Sequence, residues 1–189
     1  MANQFIYLFT LVIYLCAPAT RGSAPAWVPA EEMAALQSFY TSLAGDKWAN
    51  NSGWATLGTG EPTDPCGSAT PATPVWFGLN CSTSGNSSHV SGIELSDNNL
   101  LGTLPSLVQL GHLRILDVSS SFFNVSNPNI ITQSTQECFS GLPRSLQVAR
   151  FGYNRITGSL AGCLDHLPQL IQLSMIHTEI VGEIPSLLC

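Results

Sequence analysis

The stretch that decides the fold is Val90–His112, VSGIELSDNNLLGTLPSLVQLGH. Val90, Ile93, Leu95, Asn98, Leu100, Gly102 and Leu104 occupy a template, L-x-x-L-x-L-x-x-N-x-L-x-G-x-L. The template returns at Leu146 in LQVARFGYNRITGSL, with Ala149, Phe151, Asn154, Ile156, Gly158 and Leu160. It returns again at Leu170 in LIQLSMIHTEIVGEIP, with Leu173, Met175, Thr178, Ile180, Gly182 and Ile184. A weaker copy, LRILDVSSSFF, starts at Leu113 and carries Leu116, Val118, Ser121 and Phe123. The starts lie 23, 33 and 24 residues apart. The second unit therefore holds an insertion of about ten residues, and self-similarity at a fixed period marks a repeat architecture.

Each residue type has a physical task in such a repeat. The L-x-x-L-x-L run begins as a short strand whose inward side chains stack on those of the neighbouring units. The chain must then turn out of the strand, and an inward Asn amide satisfies the backbone groups that the turn exposes. Asn98 and Asn154 do this fully, while Ser121 and Thr178 at the same position offer only a hydroxyl. Gly102, Gly158 and Gly182 allow a bend that a side chain obstructs. The segment between Phe123 and Ser145 is rich in Asn, Ser, Thr and Gln and contains Pro128, so it is expected to leave the solenoid.

The template resembles the leucine-rich repeat. The endings NNLLGTLP and TEIVGEIP are similar to the subtype of plant receptors, also found in protist surface antigens. The region before the repeats fits a cap over the apolar flank of the first unit. Within Pro29–Lys47, Ala35, Leu36, Phe39, Tyr40 and Leu43 recur at helical spacing; Glu31 and Glu32 start the helix and Gly45 ends it. Trp48, Asn51, Trp54, Pro65, Cys66, Trp76, Gly78, Leu79 and Cys81 then follow in an order that resembles the N-terminal cap of plant-type members. Here GSATPATPV separates Cys66 from Trp76, longer than the family's usual spacing. The resemblance covers roughly Pro29 to Cys189. It implies an α/β fold, a leucine-rich repeat solenoid with short parallel strands on a concave face and a helical N-terminal cap.

Phe5–Ala19, FIYLFTLVIYLCAPA, carries no charge and is shorter than the roughly 20 residues of a membrane span. It reads as the apolar part of a signal peptide over residues 1–22; the alternative is a buried or membrane-anchoring helix. The cap then spans 25–89. The repeats span 90–112, 113–145 with the insertion, 146–169 and an incomplete 170–189. In a secreted chain Cys66, Cys81, Cys138, Cys163 and Cys189 meet an oxidising compartment. The cap resemblance, with that compartment, implies a Cys66–Cys81 disulfide rather than a metal or redox site. Cys138 and Cys163 either pair across neighbouring turns or fill core positions. Sequons stand at Asn50, Asn80, Asn86 and Asn124.

Of the 189 residues, 44% are apolar and only 10% are charged, and the net charge is −6. Six Lys and Arg residues make no phosphate-binding stripe, so nucleic acid is excluded as a partner class. No catalytic motif is present, and His89, His112, His166 and His177 are dispersed along the repeats, so no enzyme activity, metal or cofactor is expected. Strand residues between the inward leucines point to the concave face. Reading across units, the columns are Glu94, Asp117, Arg150 and Ser174; Ser96, Ser119, Gly152 and Ile176; Asp97, Ser120, Tyr153 and His177. Glu94, Asp117, Arg150, Tyr153, Ile176 and His177 are the candidate ligand-binding residues, Arg and Tyr being favoured anchors. By resemblance the chain is a secreted or cell-surface module that recognises a protein, peptide or glycan. The alternative is a structural wall glycoprotein without a specific ligand. Leu187 and Leu188 leave the last unit's apolar flank uncovered, so self-association through it is expected.

Overall fold

The computed structural model describes residues 27–57, 64–67, 74–121, 128–135, 140–160 and 164–183. The signal-peptide reading, the sequon at Asn124, Cys138, Cys163, Cys189 and the chain's last six residues lie outside them. The first element among the described residues is helix α1 (Ala30–Ser42), built of good helix formers, with Glu31 and Glu32 where the positive end of the helix dipole favours acids. Its apolar face, Ala35, Leu36, Phe39 and Tyr40, is buried, as the helical spacing predicts.

The helix ends one step earlier than the glycine suggests. Ala44, not Gly45, takes the left-handed turn (φ 54°). Gly45 is needed for space, because a Cβ there would lie 2.1 Å from the Tyr40 ring. The Leu43 carbonyl at the helix end accepts from Trp48 Nε1 (2.8 Å) and from the Leu101 amide of the first repeat (3.1 Å). This satisfies a terminal carbonyl and ties cap to solenoid at one atom.

Trp48, Trp54 and Trp76 close over Phe39 and Tyr40 in a cluster with neighbouring ring centroids 5.1–6.4 Å apart. A disulfide joins Cys66 to Cys81 across 15 residues. Closing a loop of that length stabilises by about 3 kcal/mol in the chain-entropy picture.

Two sheets run along the repeats. The first has the order β1 (Leu79–Ser84), β2 (Ser87–Glu94), β4 (Ile115–Asp117), β6 (Val148–Arg150), β8 (Gln172–Ser174). β1 pairs antiparallel with β2 and the rest pair in parallel, so the cap's hairpin covers the solenoid's first edge. The second sheet is all parallel, in the order β3 (Leu101–Gly102), β5 (Ile130–Ser134), β7 (Arg155–Gly158), β9 (Glu179–Ile180). Between them lies one core, with Ile93, Leu95, Leu116, Val118, Ala149 and Phe151 fully buried. Gly102 shows why the template asks for glycine: its φ is +138° and a Cβ would stand 2.1 Å from the Ser42 carbonyl oxygen.

The second repeat departs from the expectation. Ser121 does not fill the asparagine position. Asn129 does. Asn129 Oδ1 accepts from the amides of Asn98 (3.0 Å) and Leu100 (2.9 Å). Its Nδ2 donates to the carbonyls of Leu95, Val118 and Ser119 (2.8–3.0 Å). Ser120 Oγ meets both the amide and the carbonyl of Asn129, tying the two segments together. The segment Phe123–Ser145 therefore does not lie wholly outside the solenoid, because residues 130–134 within it form β5 between β3 and β7. Asn129, Ile131, Gln133 and Thr135 restate the template, with Gln133 where the other repeats carry glycine. Gln133 is buried and its Oε1 accepts from the Leu104 amide (3.0 Å), so the side chain bonds to the preceding repeat.

A continuous ladder results. Asn98 exchanges bonds with the backbone of Asn50 in the cap. Asn129 binds Asn98, and Asn154 Oδ1 accepts from Ile131 while its Nδ2 donates to Val118 and Phe151. Thr178 donates its hydroxyl to Met175 (2.8 Å), the reduced version expected of a hydroxyl.

Candidate functional site

Glu94, Asp117, Arg150 and Ser174 stand directly opposite one another across β2, β4, β6 and β8. Neighbouring strands lie about 4.8 Å apart, which places adjacent side chains of this row within contact. Arg150 Nη1 approaches Asp117 Oδ2 at 3.4 Å, and its Nη2 approaches Gln172 Oε1 at 3.4 Å. Both contacts are long, and Arg150 is about one-third exposed, so the pair adds at most about 1 kcal/mol. Three further guanidinium hydrogens remain for other acceptors. Asp117 is held in place by its other oxygen, which accepts from the Ser119 amide (3.1 Å) and hydroxyl (2.6 Å). Glu94 accepts from Asn80 Nδ2 on the hairpin strand β1.

The outer column carries the aromatic part. Tyr153 and His177 both adopt left-handed backbone conformations (φ 60° and 52°), uncommon for such residues. The amide of Tyr153 donates to the carbonyl of Ile176 (2.7 Å), which fixes that turn against the next repeat. The two rings stack with centroids 4.6 Å apart. Ile176 sits beside them, more than half exposed, with its backbone against Gly152. Asp97 shares the left-handed turn, and its Oδ1 accepts from the Ser121 amide (2.8 Å). Ser120, assigned to the outward column by the template, is instead buried and bonded to Asn129. Its hydroxyl serves the Asn129 backbone, so it does not stand in the outward column.

The structure thus brings Asp117 to Arg150 and Tyr153 to His177, and it keeps Glu94 with Asn80. It also corrects the view of the histidines as dispersed. His89 and His112 occupy the same position in successive units, and their rings stack at 3.9 Å. His89 Nδ1 also meets Glu32 Oε1 (2.6 Å), and Glu32 Oε2 accepts from the Val90 amide (2.9 Å). Glu32 is 3% exposed, so this buried carboxylate joins α1 to β2. The sequence shows no local signal for it, since the partners are 57 and 58 residues apart. A cavity of about 430 Å³, lined by Val108, Leu142, Pro143, Arg144 and His166 among others, contains none of the concave-row residues. Among the described residues no cluster of His, Cys, Asp or Glu fits a metal ion. Among them, too, no helix is long and apolar enough to cross a membrane.

No family model matches the chain. A curated protein, Receptor-like protein 41 of Arabidopsis thaliana, is 29% identical over 118 residues, covering 53% of this chain. The chain spans only 13% of that protein's length. Among solved structures, the chain is similar to the leucine-rich repeat ectodomain of the receptor kinase SOBIR1 from Arabidopsis thaliana. That likeness has a TM-score of 0.53 and 18% identity, covering 82% of this chain and 70% of that one. The BIR3–SERK2 complex, also from Arabidopsis thaliana, matches 80% of this chain and 84% of that one at 21% identity and a TM-score of 0.43. With four units of the template, an asparagine ladder, two sheets that run along the repeats and a tryptophan-lined cap on the page, the fold of this chain is a leucine-rich repeat solenoid with a helical N-terminal cap.

Proposed function

We propose that the chain is a secreted or cell-surface recognition module that binds a protein or peptide ligand on the concave row, a glycan being the other candidate. The observation that carries this reading is that adjacent units present Arg150, with donors to spare, at the end of β6 and the Tyr153–His177 stack, flanked by exposed Ile176, in the turns that follow β6 and β8. A directional cation beside an aromatic and aliphatic surface is the composition of an interface anchor. The likeness to receptor-like protein 41 supports the class of function and leaves the ligand open.

The test is affinity capture from the surface of cells that make the protein, with the full chain as bait. Arg150→Ala/Tyr153→Ala should reduce recovery of the captured partner at least tenfold while leaving the circular dichroism spectrum unchanged. Equal recovery by the two baits would move the function off this row and favour the structural wall reading. A second contact is supported by Ile171 and Val181, which are 82% and 67% exposed on the last described repeat. Self-association through that edge should appear as concentration-dependent sedimentation, weakened by Ile171→Ser/Val181→Ser.

A further inference from the structure

Sequons at Asn50, Asn80 and Asn86 look alike in the sequence, yet the fold separates Asn86 from Asn80. Ser84 pairs with Ser87, so Gly85 and Asn86 are the two residues at the tip of the β1–β2 hairpin. Asn86 is exposed, and among the described residues its side chain makes no hydrogen bond. The space around Gly85 is open, with no atom within 4 Å of a Cβ built there. Asn80 lies lower on the same hairpin, opposite Gly92. Its Nδ2, the atom a glycan must occupy, donates to Glu94 Oε1 and lies 2.9 Å from where a Gly92 Cβ would stand. Asn80 is itself exposed, but that nitrogen is engaged by the carboxylate and lies against the neighbouring strand, so a sugar there would crowd Glu94 and β2, whereas Asn86 stands clear of both. Its neighbour Cys81 is also committed to the Cys66 disulfide.

We infer that Asn86 carries an N-linked glycan and that Asn80 does not. The inference rests on the recognition reading only for its consequence. Gly92 and Glu94 belong to the concave sheet, whereas Asn86 stands six residues up the strand, about 20 Å away at strand spacing. A glycan at Asn86 leaves the Glu94–Ser174 row open. One at Asn80 would cover its first residue. The branched, strongly hydrated sugar also masks an exposed hairpin tip.

The full chain, passed through the secretory pathway of insect cells, provides the test. Deglycosylation by peptide N-glycosidase in heavy-oxygen water marks each occupied Asn as labelled Asp for mass spectrometry. The label is expected at Asn86 and not at Asn80. Asn86→Gln should remove one glycan step from the gel mobility, and Asn80→Gln should leave mobility unchanged. Label at Asn80, or unchanged mobility in Asn86→Gln, overturns the inference. Occupancy is read without any ligand, so a chain glycosylated at Asn86 that captures no partner refutes the recognition reading alone.

Discussion

Replacing Asn129 by alanine tests the reading of the second repeat most directly. The amide oxygen holds two buried backbone N–H groups, those of Asn98 and Leu100. The amide nitrogen has two hydrogens for the carbonyls of Leu95, Val118 and Ser119, so at least two of those three bonds are served at once. Asn129 is 1% exposed, so the groups around it are shielded from bulk solvent. Each buried group left unpaired costs about 1–3 kcal/mol. Three such groups lose their partner, the two amides and the Leu95 carbonyl, since Asn154 still donates to Val118 and the Asp97 amide to Ser119; partly relieved by relaxation, they give an expected loss of about 3–5 kcal/mol, at the upper end for a single substitution. Thr178→Ala, which removes one bond to Met175 on a half-buried side chain, should cost about 1 kcal/mol. Urea unfolding followed by circular dichroism measures both. A loss below about 1 kcal/mol for Asn129→Ala, or one no larger than that for Thr178→Ala, would refute the claim that Asn129 carries the ladder. Asn129→Asp offers a graded check, since it keeps the acceptor for Asn98 and Leu100 but loses both donors.

Two further outcomes follow from buried polar groups in the cap. Glu32→Ala removes a carboxylate that accepts from the Val90 amide and meets His89, so it should cost about 2 kcal/mol and speed amide exchange at Val90; exchange unchanged there would detach α1 from this role. The Tyr40 hydroxyl donates to Asp46 Oδ1 (2.7 Å), and burial, then that carboxylate, holds its proton above the usual tyrosine value of 10.0. Because the folded value is the higher one, its contribution to stability is complete below pH 10 and is lost as the pH rises through the folded value. Ultraviolet absorbance titration of the folded chain against Tyr40→Phe should assign the latest-ionising phenol to Tyr40, and an earlier ionisation would contradict the burial argument.

The repeat and its phase were legible because their signal is local and periodic. Leu, Asn and Gly recur at set offsets, and each offset maps to one position on the strand or turn. The cap helix was legible for the same reason, through Leu36, Phe39, Tyr40 and Leu43. The concave row could be written down from the template alone, as Glu94, Asp117 and Arg150 confirm by their register. What the sequence left undecided was which of two residues closes a turn when an insertion intervenes. Ser121 satisfied the spacing, but Asn129 satisfied the hydrogen bonds, and bonds to Asn98, Leu100 and Val118 exist only once repeats are stacked. The stacking of His89 on His112, the reach of Glu32 to Val90 and the pairing of Asp117 with Arg150 belong to the same class. Local propensity and period set the strands and their faces. Contacts between residues tens of positions apart cost chain entropy that only the assembled core repays, so the tertiary structure alone decided which polar groups meet.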